Sequence, residues 1–376
     1  MASTLELHTV DDARSPYAEE FINLPHQIFR DSPYWVPWFK QDMRQILNRN
    51  HPFFEHSEGE FFIARRDGRT VARIAALENR NFNRYQNRKD ARFYFFDSYN
   101  DPEAAHLLLA TVEEWARKRA LDRVIGPQGF SGMTGAGVLI DGYDRRAAMT
   151  MMNYHLPYYR DLVESYGFEL YKDFVSAYLD AVAYETPPKI RRVAEISLKR
   201  GSFRIPELKT KKDLRALGAE IGKIYNESWV DHEEYCPMTE AELRQLIDSL
   251  VTVTDPRLIK VIRSGEEIAG FLLTFPDLSP AIQKSRGRIT PLSLARLIRA
   301  KRRTREFVIN GVGVLPKFQK TGATALLYYE LERTLKGRAL WAEMTQIAET
   351  TDLMLSDMET LGGKVYKRHR VYQRRL

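Results

Sequence analysis

The sequence predicts a mixed α/β fold, with an α+β type of mixed sheet, built from two tandem copies of one domain. Two pairs of landmarks indicate the repeat. Hairpin signals at Asp67-Gly68 and Ser264-Gly265 place their glycines 197 positions apart. Helix patterns that end at Gly167 and Gly362, each followed by a strand pattern, lie 195 positions apart. Nearly equal offsets favour a duplication, and the alternative is two ordinary α/β domains whose landmarks coincide.

The first copy is predicted from its hydrophobic patterns in chain order. Residues 60–66 and 69–76 are rich in strand-forming side chains on either side of the Asp67-Gly68 turn, which predicts a hairpin. The next elements are a strand, an amphipathic helix, a strand, a helix and a last strand, at residues 92–96, about 102–120, 123–126, 158–167 and after Gly167.

The second copy repeats this order. Residues 258–263 and 268–275 flank its hairpin turn, and the later elements are predicted at 306–312, about 322–337, 339–343, 353–362 and 364–367. The copies join near residues 183–189, so we predict domains at 1–185 and 186–376. This order implies a mixed sheet with helices on both faces and two central parallel strands that separate to admit a ligand.

Composition excludes several classes of protein. The 376 residues include 57 Lys and Arg against 50 Asp and Glu, a net charge of +7, with 44% hydrophobic side chains. Such a chain can bury a core and lacks the signature of disorder. A single cysteine, Cys236, excludes an internal disulfide, and no Cys/His cluster has zinc-site spacing, so we expect no metal. Neither a signal-peptide pattern nor an 18-residue apolar run occurs, so we expect a cytoplasmic protein.

The most specific motif is the stretch 313–324, where a predicted strand runs into a predicted helix. The first N–H groups of a helix have no intrahelical partner, and the helix dipole favours anions there. Such a junction suits phosphate groups. An ordinary helix start capped by Thr321 is the alternative interpretation.

The pattern Val314-x-Pro316-x-x-Gln319-x-x-Gly322 resembles the pyrophosphate loop of GNAT acyltransferases. The resemblance implies binding of acetyl-CoA or a longer acyl-CoA, with a backbone N–H in this region polarising the thioester carbonyl. That family usually has Gly or Ala where this chain has Thr324. The cofactor-binding residues it implies are Val312, Val314, Gln319, Lys320, Thr321, Gly322, Ala323 and Thr324.

The equivalent junction of the first copy has the opposite character. Its residues 97–103 include the carboxylates Asp97, Asp101 and Glu103 and no glycine. Like charges would repel a pyrophosphate. We therefore expect acyl-CoA only in the second copy, while the first copy provides structure and part of the acceptor pocket.

A second resemblance extends from about residue 30 to the C-terminus. The motifs at 31–37, 126–131, 137–143, 153–159 and 363–372 together resemble a group of bacterial tandem-GNAT proteins. That group includes the bacterial ceramide synthases, which acylate the amine of a sphingoid base from acyl-CoA. The resemblance thus implies a lipid amine as acceptor. The chain departs from the group at Gln346, where a Trp is expected, and at Thr350-Thr351, where Asp-Asn is expected.

Acyl transfer to an amine needs a general base. Glu343, at the end of a predicted strand, is the first candidate, with Glu349 behind it. His155 and His232 are alternatives, because imidazole titrates near neutral pH. Each of these side chains also fits a structural role.

The departing thiolate needs a proton. Many GNAT enzymes place a tyrosine four residues before the glycine of the last helix, but this chain has Met358 there. Tyr366 is therefore our candidate acid, with Tyr372 nearby, and the alternative for both is packing within a strand.

Candidate acceptor-binding residues come from both copies. Residues 225–232 lie where the early helix of a GNAT domain turns over the acceptor groove, and residues 130–137 are rich in glycine, which suits close backbone approach to a ligand. Residues 149–152 and the following tyrosines fit an apolar wall, or ordinary core packing. The predicted set is Asn226, Trp229, Phe130, Ser131, Asn153, Tyr158 and Tyr159.

Residues 284–305 hold nine basic and no acidic side chains. A helix in this segment would carry Leu294, Leu297 and Ile298 among arginines, which suits an anionic membrane surface. A solvated loop that attracts CoA phosphates fits equally well. Nucleic acid is disfavoured, because no aromatic side chains are interleaved and no binding motif accompanies the segment.

The sequence therefore predicts an acyl-CoA-dependent N-acyltransferase whose acceptor is an amine, with a lipid amine favoured and a peripheral membrane location compatible. Two alternatives stay open. One is a catalytically silent CoA-binding or membrane-docking protein, and the other is an acetyltransferase for a small polar amine. Nothing in the sequence determines the oligomeric state.

Overall fold

A computed structural model of the chain describes residues 4–130, 134–228 and 235–376. Its strands are β1 (Leu5–Thr9), β2 (Glu58–Arg66), β3 (Arg69–Glu78), β4 (Asp90–Ser98), β5 (Arg123–Gly126), β6 (Val138–Asp141), β7 (Glu169–Asp180), β8 (Lys260–Ser264), β9 (Glu267–Pro276), β10 (Glu306–Val314), β11 (Trp341–Ala348) and β12 (Lys364–Arg375).

The α-helices are distributed along both halves of the chain. They are α1 (Ala18–Ile28), α2 (Lys40–Leu47), α3 (Arg80–Gln86), α4 (Pro102–Arg117), α5 (Tyr158–Ser165), α6 (Pro188–Lys199), α7 (Lys211–Ser228), α8 (Glu240–Val253), α9 (Ser279–Ser285), α10 (Pro291–Arg303), α11 (Ala323–Leu335) and α12 (Asp352–Thr360). Short 3-10 turns occur at Pro52–Glu55, Pro256–Leu258 and Pro316–Phe318. The predicted mixed α/β fold is confirmed.

The strands form one sheet in the order β1-β2-β3-β4-β5-β12-β7-β11-β10-β9-β8, with β6 paired to β12. In its centre the last strands of the two copies are exchanged: β7 pairs with β11, and β12 pairs with β5. Each copy therefore ends in a strand that continues the sheet of the other copy. The predicted boundary at 185/186 falls in the connection between β7 and α6.

The hairpin signals mark true turns. Asp67 and Gly68 both have positive φ, at 50° and 77°, as a two-residue type I′ hairpin requires. The second turn contains Gly265 at a φ of 61°. An added Cβ at either glycine would meet open space, so backbone conformation and not packing explains these glycines.

The helices α4 and α11 begin at the predicted junctions, and the residues at their N-termini explain why. α4 has Asp101 as N-cap and Pro102 as its first residue, and an apolar stripe from Ala104 to Ala116 packs into the core. α11 begins after Gly322 and buries Leu326, Leu327 and Leu331 in a second core cluster. The two helices pack the sheet of their own copy.

The central strands separate in each copy. β10 and β11 pair in parallel only from Glu306 to Ile309 on the β10 side, and β10 then contains a register shift before Val312. In the first copy, β4 and β5 pair in parallel only over Asp90–Arg92 and Arg123–Ile125. Bulges of this kind bend a strand away from its neighbour. The result is a wedge-shaped gap in each half of the sheet.

Candidate active site

The β10–α11 junction has an open helix N-terminus. After the 3-10 turn Pro316–Phe318, Lys320 and Gly322 adopt positive φ values of 60° and 95°. Gly322 is the N-cap of α11 and has no side chain that could cap the helix. The first N–H groups of α11 are therefore not satisfied by their N-cap residue, which favours a bound anion.

Side chains of the same loop hold its shape. Gln319 donates from Nε2 to the Val314 carbonyl at 3.3 Å, and Thr321 donates from Oγ1 to the Phe318 carbonyl at 2.6 Å. Thr321 thus bonds backwards to the loop, in contrast to the alternative in which it caps the helix. Lys320 and Thr321 are exposed, whereas Ala323 is buried and Thr324 half-buried.

Helix α6 lies against this loop and explains its glycine. A Cβ added to Gly322 would stand 2.4 Å from Ser197 Oγ and 3.0 Å from Val193 Cγ1. The positive φ independently disfavours a side chain at this position. Both the close approach of α6 and the backbone conformation therefore require glycine here.

Beyond the register shift, the predicted positions Val312 and Val314 pair with β9, opposite Leu272 and Gly270. The ladder with β11 has ended by then, at Ile309. The β11-facing edge of this segment therefore borders the gap. Val314 is buried and Val312 half-buried. This arrangement is compatible with a backbone N–H that faces a ligand in the gap.

The first copy closes its equivalent junction with its own carboxylates. Asp101 caps α4 by accepting from the Ala104 N–H at 3.1 Å, and Arg66 binds Asp101 at 2.7 and 2.9 Å. Arg66 also contacts Glu103 at 2.8 Å, and Arg73 pairs with Asp97 at 2.6 Å. The hydrogen bonds from Arg66 lower the pKa of Asp101 despite partial burial, so the helix start keeps a fixed negative charge.

The structure brings two of the three predicted catalytic residues together. Glu343 lies on β11 with its side chain 4% exposed, next to the side chain of Tyr366 of β12. Burial raises the pKa of Glu343, against the opposing effect of the nearby Lys367 charge. Burial and the neighbouring carboxylate also raise the pKa of Tyr366. A buried carboxylate with a raised pKa and a neutral phenol suit general base and general acid.

The third member of this cluster, Lys367, was missed by sequence reasoning. Its side chain is 1% exposed, and Nζ stands 3.5 Å from Glu343 Oε1 and donates to the Tyr366 hydroxyl at 3.1 Å. Consecutive strand residues normally point to opposite faces. A register shift between Val365 and Lys367 places these two on one face, and no sequence pattern signals it.

The other predicted base, Glu349, lies apart from this cluster. It follows the end of β11, is about one-third exposed and pairs with Arg368 at 2.5 Å. Of the histidine alternatives, His155 is buried and accepts from the Leu139 N–H at 3.2 Å, and burial lowers its pKa to about 3. It is therefore neutral at physiological pH, whereas His232 lies outside the described residues.

The remaining acid candidates have structural partners. The Tyr372 hydroxyl donates to Glu164 at 2.9 Å, and burial raises its pKa. Met358, which occupies the place of the usual tyrosine, is buried in the core cluster around α11.

The predicted acceptor residues are dispersed. Asn226 bonds both backbone groups of Met238, Tyr158 donates to the Ser98 carbonyl, and Tyr159 accepts from the Ser98 N–H. Phe130 packs in an aromatic core cluster. Trp229 and Ser131 lie outside the described residues. Asn153 is the member of the described set that borders a cavity.

That cavity of about 60 Å³ lies in the first copy, beside the wedge between β4 and β5. Its lining combines aromatic rings with polar groups: His26, Trp35, Trp38, Arg73, Tyr94, Phe95, Asp97, Met152, Asn153 and His155 are among them. Met152 connects it to the second copy, because its sulfur accepts from Lys367 Nζ at 3.4 Å. One residue thus stands between the cavity and the Glu343 cluster.

Gln346, at the position where the resemblance predicts a Trp, has a structural role. Its side-chain amide accepts from the Ala136 N–H at 2.9 Å and donates to the Ala136 carbonyl at 2.7 Å. It therefore links β11 to the glycine-rich stretch of the first copy.

Within the described ranges, no group of three or more His, Cys, Asp or Glu side chains is arranged to hold a metal ion. None of the helices in these ranges is both long enough and apolar enough to cross a bilayer.

Comparisons with known proteins agree with this geometry. No family model matches the chain. It is 28% identical over 372 residues to the bacterial ceramide synthase of Caulobacter vibrioides, covering 95% of this chain and 94% of that protein. It is 24% identical over 365 residues to protein YghO of Escherichia coli, covering 95% and 92%.

Solved structures share the fold at low identity. A tandem GNAT protein from the clavulanic acid biosynthesis pathway superimposes with a TM-score of 0.58 and 13% identity, over 99% of this chain and 98% of that chain. A GCN5-related N-acetyltransferase from Anabaena variabilis gives 0.52 and 10% identity, over 98% and 72%. The predicted resemblance is confirmed: the chain has the tandem GNAT fold and is similar over nearly its whole length to the bacterial ceramide synthase.

Proposed function

We propose that this protein transfers an acyl group from acyl-CoA to an amine, with the second copy as the catalytic unit. The observation that supports this most strongly is the Glu343–Tyr366 pair, buried beside the place where β10 and β11 separate. An uncapped helix N-terminus stands at the end of the same β10 strand. Together they offer an anion site and a base within one wedge.

Acyl-CoA would bind with its pyrophosphate at the loop formed by Gln319, Lys320, Thr321, Gly322, Ala323 and Thr324. The N–H groups at the start of α11 would meet the phosphate oxygens, and Lys320 is exposed beside them. The thioester would enter the gap along Val312 and Val314, where a backbone N–H would polarise its carbonyl.

The reaction then balances with two side chains. Glu343 takes a proton from the attacking amine, directly or through a water, as the nitrogen bonds to the thioester carbon. The C–S bond breaks, and Tyr366 gives its proton to the departing thiolate. Glu343 and Tyr366 lie next to each other, so the proton can return from the carboxyl group to the phenolate.

For the acceptor we propose a lipid amine of the sphingoid type. Similarity over nearly the full chain to the bacterial ceramide synthase supports this choice. The cavity of the first copy, which Met152 separates from Lys367, has a volume of about 60 Å³ and would hold only the polar end of such a lipid. A small polar amine is the competing acceptor.

We further propose that residues 284–305 bring the enzyme to an anionic membrane surface. Helix α10 and the turn before it expose large apolar side chains among the basic ones: Ile289, Leu292, Leu294 and Ile298 are each about half exposed. Leu297, in contrast, packs against the core. Exposed apolar and cationic side chains on one helix suit the interface of an anionic bilayer.

Calorimetric titration with CoA, acetyl-CoA and palmitoyl-CoA tests the donor site. We expect the long-chain thioester to bind most tightly, and Gly322→Trp to abolish binding of all three. Gly337→Trp is the matched control, because Gly337 also has positive φ, follows the other end of α11 and faces open space. No binding to the unaltered protein would contradict the proposal.

Turnover with sphinganine against a small polar amine then tests the acceptor, and vesicle sedimentation tests the membrane surface. We expect Arg299→Glu, Arg302→Glu and Arg303→Glu together to abolish binding to vesicles with anionic lipid. The control reverses three exposed charges of the first copy, Arg69, Arg84 and Lys89. Equal loss in both variants would show that net charge alone is responsible.

A further inference from the structure

We propose that Lys367 is a positioning residue for the transfer reaction, which keeps the Glu343 carboxylate charged and holds the Tyr366 hydroxyl towards it. The inference rests on the proposed function, because it assumes that Glu343 acts as the base. It assigns a role to a side chain that no strand pattern singles out.

The backbone of β12 is shaped to place Lys367 beside Tyr366. Val365 pairs with Ala177 and Lys367 with the next residue, Ser176, so Tyr366 is the extra residue of a bulge. A bulge re-aims side chains that would otherwise alternate. Lys367 Nζ consequently lies 4.8 Å from the Tyr366 ring centre and within hydrogen-bond distance of its hydroxyl.

The ammonium group is buried and its donors are committed. Nζ donates to the Arg146 carbonyl, to the Tyr366 hydroxyl and to the Met152 sulfur. A lysine has three N–H donors. Glu343 Oε1, at 3.5 Å, therefore receives the charge of Lys367, and in the described part of the chain it accepts no hydrogen bond.

Since Tyr366 accepts from Lys367, its own proton is free to point to Glu343. The ammonium thus donates to the phenol oxygen, and the phenol lies next to the carboxylate. This orientation is the one that a proton donor next to the base requires. An apolar residue at 367 would leave the phenol free to turn.

Other charges make the lysine necessary. Asp277 is buried and raises the pKa of Glu343, while Arg146 contacts both Asp277, at 3.1 Å, and Glu306, at 2.6 Å. Asp277 therefore shares the Arg146 guanidinium with Glu306, and Lys367 is the cation closest to Glu343 in the described part of the chain. Removing the ammonium would leave the buried Glu343 carboxylate next to Asp277 without this cation, which favours its protonated form.

Carbon-13 NMR of protein labelled at the glutamate δ-carbon tests this directly, with the Glu343 signal assigned through Glu343→Gln. We expect Lys367→Met to raise the pKa of Glu343 by at least about one pH unit. Lys172→Met is the matched control, since Lys172 is a buried lysine of the neighbouring strand β7 outside this cluster. An unmoved Glu343 titration in Lys367→Met would overturn the inference.

Asp277→Asn provides a second test that does not depend on the folding of Lys367→Met. Its expected effect on the pKa of Glu343 has the opposite sign. Because Asp277 raises the pKa of Glu343, its neutralisation should lower that pKa. The acid limb of kcat/KM for transfer from palmitoyl-CoA should move to higher pH in Lys367→Met and to lower pH in Asp277→Asn. A limb that stays in place in both variants contradicts the inference.

The two proposals fail in different ways. If Glu343→Gln retains full turnover, the base is wrong and the proposed function loses its mechanism. If Glu343→Gln is inactive while neither variant moves the titration or the pH limb, the base stands and the role of Lys367 is refuted.

Discussion

The two strand-to-helix junctions, β4–α4 and β10–α11, have equivalent places in the two copies and opposite chemistry. α4 starts with the carboxylate of Asp101, which caps the helix and pairs with Arg66. α11 starts with Gly322 and no capping side chain. The first arrangement satisfies the helix start with a side chain of its own N-cap, and the second has no side chain at the N-cap. One fold thus has a closed helix start in one copy and an open one in the other.

The strands β11 and β5, which have equivalent places in the two copies, also differ in chemistry. The third residue of β11 is Glu343, whereas the third residue of β5 is Ile125, which lies in an apolar cluster. At equivalent positions of the parallel strands, the second copy therefore has a buried carboxylate and the first copy an apolar side chain. The comparison teaches that two copies of one fold can differ in chemistry through a few residues of their strands.

The largest expected effect concerns Glu343. Glu343→Gln should lower kcat by about 100-fold or more, because it removes the base without changing the shape of the side chain. Acyl-CoA affinity measured by calorimetry should stay within about twofold of the original. Glu349→Gln, in a partly exposed salt bridge with Arg368, is the control and should retain most of the activity. Equal losses in both variants would break the distinction between the two carboxylates.

The next prediction concerns a substitution that makes the β10–α11 junction resemble the β4–α4 junction. Thr321→Asp brings a carboxylate to the start of α11 and should weaken CoA binding by about tenfold, because like charges repel and the helix dipole is already satisfied. The control is Thr351→Asp, which makes the same change at the N-cap of α12. Unchanged affinity in Thr321→Asp would show that phosphate binds elsewhere.

A smaller effect concerns acid stability of the first copy. Burial lowers the pKa of His155 to about 3 and that of His26 to about 4, against an ordinary value of 6.5. Between the lowered pKa of each histidine and the ordinary value of 6.5, the unfolded chain binds more protons than the folded chain. The contribution of these histidines to the free energy of unfolding should therefore fall as the pH drops below about 6.5 and stay constant above it. The free energy of unfolding measured with urea should be lower at pH 5 than at pH 7, by roughly 2 kcal/mol for His155 alone.

His155→Gln should reduce that loss, whereas His106→Gln, on the outer part of α4, should leave it unchanged. Identical pH dependence in the original protein and in His155→Gln would show that the buried imidazole is not responsible.

The smallest effect removes the cap of α4. Asp101→Ala should cost about 1 kcal/mol of unfolding free energy, because the Ala104 N–H loses its acceptor. Denaturant titration measures it, and CoA affinity should be unaltered. A gain of CoA binding in this variant would mean that the carboxylate alone separates the two copies.

Much of the fold was predictable from local pattern. The hairpin turns, the long helices and the repeat offset follow from turn chemistry and helical periodicity, and these act between neighbours in the chain. The exchange of β7 and β12 was not predictable, because the pairing partner of a buried strand depends on the whole sheet. The extension of β12 through Arg375 follows from the same exchange.

The candidate site was likewise predictable in part from the sequence and in part only from the tertiary structure. By itself, the sequence determined the glycine loop at 319–324, the acidic junction of the first copy and the candidate Glu343, since each depends on residue type and spacing. Only the tertiary structure decided that Tyr366 and Lys367 meet Glu343, that Glu349 lies apart and that Phe130 and Tyr159 belong to the core. Those outcomes depend on a bulge and on strand exchange, which arise from packing between residues distant in the chain.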